Sequence, residues 1–302
     1  MENFSIDIDK HLFVKNSFHE TDGMRASGLT KSIVGRFRGE WGMAARHRLL
    51  VAGDIEPVSV INPSGKGRII LVCEHASRRL PQSLGTLGLS DEALCAHIAW
   101  DPGALAMATR MSGSLDATLV HQNYSRLAYD CNRPPEAADA MPPKSEVYDI
   151  PGNAGIAEDQ RAARIDEIYV PWRDRLAGVI SDRIGRGQPT VLVTIHSFTP
   201  IYKGVRRDVE VGILHDSDSR LADAMLEAAG SEALFDVRRN EPYGPEDGVT
   251  HTLKEHGLAN GLLNVMIEVR NDLIADQKGQ ETMADFLTGL IQESISAMAD
   301  GK

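Results

Sequence analysis

Apolar residues occur along the chain in two kinds of run. Short unbroken runs are typical of buried strands, and longer runs with three-to-four spacing are typical of amphipathic helices. The short runs predict strands at residues 68–73, 118–121, 190–195, 209–214 and 263–268, with 128–131 extending or following the second of them. The clearest of these strands is 190–195, which is entirely apolar apart from its threonines.

The longer runs predict helices between the strands. The segment 91–112 has helical character interrupted at Pro102–Gly103, which places Asp101 at or near a helix start. Further amphipathic helices are predicted at 157–183, with a bend at Pro171, and at 217–230 and 281–299. This alternation predicts one α/β domain, a three-layer sandwich with a mostly parallel mixed sheet and helices on both faces.

The first 48 residues differ from this pattern, because basic residues are spread through a segment of weak periodicity. We interpret residues 1–48 as an N-terminal extension and residues 49–302 as a single domain. Three alternatives stay open for the extension: a partly ordered arm that packs on the domain or on a second subunit, a disordered segment, or a stretch upstream of a true start at Met43.

The net charge indicates the kind of partner, and the cysteine content indicates the cellular compartment. The formal net charge of -11 disfavours nucleic acid and anionic membranes as partners, so a small molecule is expected. Three cysteines without C-x-x-C spacing, and an N-terminus without a charged start followed by an apolar stretch, favour the cytoplasm. The oligomeric state is left open, with a homo-oligomer among the alternatives.

Polar residues follow three of the predicted strands directly. Glu74 and His75 follow the first strand, His196 and Ser197 follow the third, and Glu268 ends the last. In open α/β sheets the ligand crevice lies outside the carboxyl ends of the strands, so these groups are expected to share one pocket.

Two histidines and an acid in one pocket predict a divalent metal site. Catalytic zinc usually has three protein ligands and one open position. His75 and His196 are the expected nitrogen ligands, and Asp101 is the preferred carboxylate. Glu74 is the alternative, although its position beside His75 would need an unusual backbone to direct both side chains at one ion.

The remaining polar groups suggest a hydrolase. Glu268 suits a general base, which takes a proton from water and passes it to the leaving amine; the alternative is a salt bridge with Arg270. In the segment 124–135, Asn132 and Arg133 suit recognition of a carboxylate, and Arg126 suits stabilisation of an oxyanion. Asp130 is expected to pair with an arginine of this segment.

Taken together, these motifs resemble the N-formylglutamate amidohydrolase family. Seven matching pieces occur in the family's order: VCEHASRRLP (72–81), HIAWDPGA (97–104), YSRLAYDCNRPP (124–135), PGN (151–153), TIHSFTP (194–200), NEPYG (240–244) and IEVRNDLI (267–274). The resemblance implies an architecture similar to the zinc carboxypeptidases, one zinc ion, and the carboxylate clamp and general base at the positions named above. The carboxypeptidase His-x-x-Glu motif is not matched, because Arg78 stands three residues after His75.

The resemblance also implies a substrate. The named family reaction is hydrolysis of N-formyl-L-glutamate to formate and L-glutamate, which ends a route of histidine degradation. This chain has CEHAS and HSFTP where that form of the family reads closer to PHSG and LHSM, so a sibling group with another N-acyl or N-carbamoyl substrate is an alternative. Tyr243 and His251 are expected to line the acyl or side-chain pocket, and Arg270 and Ser197 to contribute to substrate binding.

Other functions compete with this interpretation. A carboxypeptidase-like peptidase or deacylase would act on another N-blocked substrate, and a non-catalytic protein would bind carboxylates only. A protein that only binds carboxylates would not need two strand-end histidines together with Glu268. A nucleotide-binding protein is the weakest alternative, because no G-x-G-x-x-G or Walker motif follows a predicted strand.

Overall fold

A computed structural model describes residues 47–230 and 234–300 of the chain. Apart from His47 and Arg48, the predicted N-terminal extension lies outside the described residues. The division into that extension and a single domain at 49–302 therefore stays a prediction.

The described residues form a seven-stranded mixed sheet and two short hairpins. The strands are β1 (Val58–Ile61), β2 (Ile69–Cys73), β3 (Thr118–Gln122), β4 (Lys144–Ser145), β5 (Tyr148–Asp149), β6 (Val191–Phe198), β7 (Ile201–Tyr202), β8 (Val205–Arg206), β9 (Val211–Leu214), β10 (Val237–Arg239) and β11 (Leu263–Arg270). The sheet order is β1-β3-β2-β6-β11-β9-β10, and β4-β5 and β7-β8 are the hairpins. Strands β3, β2, β6 and β11 run parallel, while β1 and β9 are antiparallel to their neighbours β3 and β11.

Helices cover both faces of the sheet. They are α1 (Asp91–Cys95), α2 (Ala104–Ser114), α3 (Glu158–Arg164), α4 (Val170–Gly185), α5 (Arg220–Ala229) and α6 (Gln277–Asp300). Alternate residues of β2 show how the layers are built: Leu71 packs in the cluster that contains α2, α5 and α6, whereas Ile70 packs with α4. Because both faces are covered, all five residues of β2 are buried, and its sequence reads as an unbroken apolar run. The predicted three-layer α/β fold is thus confirmed.

The main elements lie where the apolar pattern predicts them, with exceptions at short segments. The prediction of strand at 128–131 is wrong: these residues form turns, with Asp130 bonded through its N–H to the carbonyl of Ala140. The edge strands β1 and β10 and both hairpins were not predicted. These strands have two to four residues and are at most half-buried, so they lack a distinct apolar signal.

The long predicted helix at 157–183 is continuous but contains one π turn. Residues Ile165–Tyr169 have π geometry between α3 and α4, immediately before Pro171. Proline has no N–H and its ring crowds the carbonyl four residues earlier, so the regular α ladder cannot continue unchanged there. The helix at 157–183 is thus observed with a π turn before Pro171, and the bend predicted at Pro171 stays a prediction.

A tight turn brings Asp101 to the end of β2. The N–H of Asp101 donates to the carbonyl of His75 at 2.9 Å, and the N–H of Ala104 donates to the carbonyl of Asp101 at 3.2 Å. Gly103 occupies the third position of this turn with φ +82°, and a Cβ there would lie 2.5 Å from the carbonyl oxygen of Ile274. The Asp-Pro-Gly sequence therefore suits the turn both in dihedral angle and in space.

Among the described residues, none of the helices combines the length and the apolar character that a bilayer crossing requires.

We expect Gly103→Ala to destabilise the protein by about 2 kcal/mol, since alanine at positive φ is strained and its methyl group would meet the backbone of Ile274. Gly113→Ala, near the end of helix α2 that begins directly after Gly103, has open space around the added Cβ and is the control. It should be neutral or stabilise by about 0.5 kcal/mol. Urea unfolding of both variants checks the expectation, and equal free energies of unfolding would contradict it.

Candidate active site

The polar ends of β2, β6 and β11 lie together at one edge of the sheet. Glu268 on β11 is the register partner of His196 on the parallel strand β6, which places them side by side. His75 follows β2 by two residues, and the turn at 101–104 carries Asp101 to it. A cavity of about 300 Å³ opens at this edge.

Three of these side chains converge through one atom each. His196 Nδ1 lies 3.2 Å from His75 Nδ1 and 3.0 Å from Asp101 Oδ2, and His75 Nδ1 lies 3.3 Å from the same oxygen. All three residues are buried, and their ligand atoms are close enough to share one metal ion. Ligands held tetrahedrally at the usual zinc–nitrogen and zinc–oxygen distances are about 3.3 Å apart, so the spacing of this cluster suits zinc.

The ring nitrogens that face away from the cluster meet carboxylates. His75 Nε2 lies 2.7 Å from Asp130 Oδ1, and His196 Nε2 lies 3.0 Å from Glu74 Oε2. If each Nε2 carries the proton, both Nδ1 lone pairs point at one another and at Asp101. That arrangement is repulsive without a cation, and carboxylates behind metal-binding histidines commonly fix this tautomer. The donor set therefore fits a divalent metal.

This geometry separates the two candidate carboxylates. Asp101 contributes an oxygen to the cluster, whereas Glu74 stands behind His196. Glu74 belongs to the site as a partner of the histidine rather than as a member of the cluster.

Burial and charge act in opposite directions on the cluster. Burial by itself raises the pKa of Asp101, but His75 and His196 hold the pKa well below its usual range. Burial by itself lowers the pKa of His196, but Glu74 and Asp101 raise it well above the ordinary value. The site thus has a strong affinity for positive charge, whether a proton or a metal ion supplies it.

The pKa of Glu268 is shifted in the opposite direction from that of Asp101. Glu268 lines the cavity but is only 6% exposed, and burial raises its pKa to about 7. A carboxyl group with a pKa near neutrality is well suited to accept and release a proton.

Arg126 links Asp130, behind His75, to Asp101 in the cluster. Its Nη2 donates to Asp130 Oδ2 at 2.7 Å, and its Nη1 lies 3.5 Å from Asp101 Oδ1. Asp130 therefore pairs with an arginine of its own segment, as predicted, and joins that arginine to the ring of His75. About a quarter of the Arg126 side chain remains exposed, on the cavity wall.

Four further predicted residues line the cavity: Asn132, Arg133, Ser197 and Tyr243. The amide of Asn132 is engaged with backbone groups, donating to Val249 O at 2.6 Å and accepting from Thr252 N at 3.0 Å. Arg133 Nε donates to Asp139 at 2.7 Å. Ser197 donates through its N–H to Asp101 and through its hydroxyl to Pro102 O.

Two predicted residues do not line the cavity. The guanidinium of Arg270 lies 2.8 Å from Asp272 and 3.4 Å from Glu210. His251 Nε2 lies 2.8 Å from the hydroxyl of Tyr169, behind the loop that holds Asn132. Both side chains have structural partners in these positions, and Arg270 pairs with these acids instead of with Glu268.

The cavity also includes residues that sequence reasoning did not single out. His97 and Glu146 face one another at 3.4 Å, and Lys144 and Tyr202 stand on the two short hairpins. His97 lies within one of the recognised motifs, which was a usable signal. The hairpin residues carried none, because the strands of both hairpins have two residues each, too few for a periodic pattern.

Comparisons with known proteins agree with the resemblance seen in the sequence. The N-formylglutamate amidohydrolase family model matches residues 67–275. Gene product Atu2144 from Agrobacterium tumefaciens is 56% identical over 83% of this chain and 100% of its own, with a TM-score of 0.82. An N-formylglutamate amidohydrolase from Ralstonia eutropha JMP134 is 17% identical over 82% of this chain and 100% of its own; its TM-score of 0.58 shows a shared fold. A search of curated proteins gives no match.

The raised pKa of Glu268 predicts a pH-dependent stability. Between its ordinary pKa of 4.5 and about 7, the folded protein keeps a proton that the unfolded chain has released. The free energy of unfolding therefore falls as pH rises through this interval. Glutamine stays neutral, so Glu268→Gln should gain stability over the unsubstituted protein between pH 4 and pH 8, on the order of 3 kcal/mol. Urea unfolding at a series of pH values, with a chelator present, measures this gain. Glu293→Gln on α6 is the control. If the free energies of unfolding of Glu268→Gln and of the unsubstituted protein changed in parallel with pH, the prediction would be contradicted.

Proposed function

We propose that this chain, which belongs to the N-formylglutamate amidohydrolase family, is a zinc-dependent hydrolase that cleaves the amide bond of an N-formyl or N-acyl amino acid. The proposed substrate is N-formyl-L-glutamate, and the products are formate and L-glutamate. The reaction would belong to histidine degradation in the cytoplasm. The observation that carries the proposal is the convergence of His75 Nδ1, His196 Nδ1 and Asp101 Oδ2 beside the buried carboxyl group of Glu268.

His75, His196 and Asp101 would hold the metal. When bound there, zinc supplies a Lewis acid that lowers the pKa of water towards neutrality and polarises the acyl carbonyl group. Asp130 and Glu74 would keep the two imidazole rings in the tautomer that presents Nδ1 to the metal.

Glu268 would act as the general base. Its carboxylate takes a proton from the attacking water as the new C–O bond forms to the acyl carbon. The same group then returns the proton to the amide nitrogen as the C–N bond breaks, which leaves formate and the free amino group of glutamate. Because its pKa lies near 7, the carboxyl group can act in both directions at neutral pH.

Arginines would bind the negative charges of the substrate. Arg126 faces the cavity beside Asp101 and would stabilise the oxyanion that develops on the acyl oxygen. Arg133, on the cavity wall next to Asn132, would bind a substrate carboxylate. The bonds of the Asn132 amide to Val249 and Thr252 give Asn132 a supporting part, since they fix the backbone on which Arg133 is carried.

Removal of either histidine should abolish zinc binding. We expect one zinc ion per chain in the remetallated protein, and far less than one in His75→Ala and His196→Ala after dialysis. His215→Ala should keep its zinc, because His215 contacts Asp216 and Arg239 away from the cavity lining. Metal analysis gives the stoichiometry, and hydrolysis of N-formyl-L-glutamate before and after chelation tests the metal requirement. Absence of zinc from the remetallated protein would refute the metal site.

Glu268→Gln should separate metal binding from turnover. Glutamine cannot accept the proton from water, so we expect kcat for N-formyl-L-glutamate to fall by about 10³-fold or more while the zinc content stays at one per chain. Glu293→Gln, on the exposed face of α6, should leave kcat unchanged. Normal turnover by Glu268→Gln would exclude Glu268 as the base.

A further inference from the structure

Arg207 lies at the edge of the cavity among three aromatic rings. Its Cζ is 4.5 Å from the ring centroid of Tyr202, 4.8 Å from that of Tyr243 and 5.6 Å from that of Phe198. The rings come from different segments: Phe198 ends β6, Tyr202 belongs to β7, and Tyr243 lies in the loop after β10. A guanidinium suits this position, because it is planar, permanently charged and able to stack on aromatic faces.

The same guanidinium makes a directed hydrogen bond to one of these rings. Arg207 Nη1 donates to the phenolic oxygen of Tyr243 at 3.0 Å. A phenolic oxygen carries one proton and accepts hydrogen bonds through its lone pairs. A donor on one side of the oxygen therefore turns the phenol's O–H to the other side. Arg207 therefore determines the direction in which Tyr243 can donate.

Tyr243 is placed to use that proton inside the cavity. It lines the cavity together with Glu268 and Arg126, and in its loop the carbonyl of Glu241 lies close to Gly212 of β9. Burial, followed by the charge of Glu268, raises the pKa of Tyr243 to about 12, so the phenol keeps its proton at neutral pH.

We infer that Arg207 is a positioning residue that acts through Tyr243. It orients the phenolic O–H into the cavity, where Tyr243 donates a hydrogen bond to the acyl oxygen of the bound amide. This oxygen gains negative charge as water adds to the carbonyl carbon, so the hydrogen bond strengthens in the transition state. Tyr243 thereby supplements Arg126, and Arg207 ties β7, β8 and the Tyr243 loop into one wall. The catalytic part of this inference rests on the proposed amide hydrolysis.

The Arg207–Tyr243 pairing can be tested without substrate. Tyrosine labelled with ¹³C at Cζ gives one resonance per tyrosine, and its absence in Tyr243→Phe assigns the resonance of Tyr243. In Arg207→Met we expect this resonance to shift at neutral pH, because the donor to the phenolic oxygen and its positive charge are gone. Arg206→Met is the matched control: Arg206 is the neighbouring residue, is exposed, and pairs only with Asp208 at 3.7 Å among the described residues. An unshifted Tyr243 resonance in Arg207→Met would overturn the inference.

Kinetics of the zinc-loaded protein test whether Arg207 acts through Tyr243. We expect Arg207→Met to lower kcat for N-formyl-L-glutamate by about tenfold with little change in KM, as the loss of one hydrogen bond predicts. In the Tyr243→Phe background the same substitution should cause no further loss, since the O–H that it orients is absent. Arg206→Met should have no effect in either background.

Tenfold losses in both backgrounds would overturn the inference, because Arg207 would then act independently of Tyr243. If Arg207→Met does not fold, Arg207→Gln replaces it in both experiments, because its planar amide can still pack between the rings while the positive charge is removed and the side chain is shortened; the expectations are the same, at smaller size. Failure of the unsubstituted protein to hydrolyse N-formyl-L-glutamate would instead refute the proposed substrate, and the Tyr243 resonance alone would then support or overturn the pairing.

Discussion

Buried negative charge at the ends of β2 and β6 is the constraint on which the rest of the site depends. Glu74, Asp101 and Asp130 are all buried within 3.3 Å of an imidazole nitrogen of His75 or His196. A carboxylate removed from water costs several kcal/mol unless a positive partner or hydrogen bonds compensate for it. The segment that carries Arg126 approaches the strand ends closely, and its guanidinium offsets the negative charge of Asp101 and Asp130.

Glu268 differs from these three acids in what determines its pKa. Each of the others is held ionised by the histidines or by Arg126, whereas burial dominates the pKa of Glu268. A group kept near neutrality at the cost of stability is a common feature of acid–base catalysis. Its position on a central strand, in register with His196, fixes its distance from the cluster of His75, Asp101 and His196 more rigidly than a loop would.

Loops complete the cavity, and a buried arginine, Arg164, holds the segment between β3 and α3. The segment between β3 and α3 carries Asp130, Arg133 and the hairpin β4-β5. Arg164 of α3 anchors it from behind, donating to Asn153 at 2.7 Å and to the carbonyl of Ala128 at 3.2 Å. Since Arg164 is bonded to neutral oxygens in these contacts, burial lowers its pKa to about 10. The cavity wall thus has little regular secondary structure but many specific polar contacts.

The sequence by itself determined the layers of the fold and the group of strand-end residues, since both depend on local pattern: apolar runs mark β2, β6 and β11, and polar residues follow them immediately. Tertiary structure alone decided the roles within that group. Asp101 and Glu74 are equivalent in chemistry, and only the turn at Gly103 and the direction of each ring nitrogen place one in the cluster and the other behind it. Arg270 and His251 likewise look like binding residues until their partners, Asp272 and Tyr169, are seen. Arg207 had no local signal, because its three aromatic neighbours come from segments that meet only in the folded chain; long-range packing brings such groups together, and periodicity within one segment cannot report it.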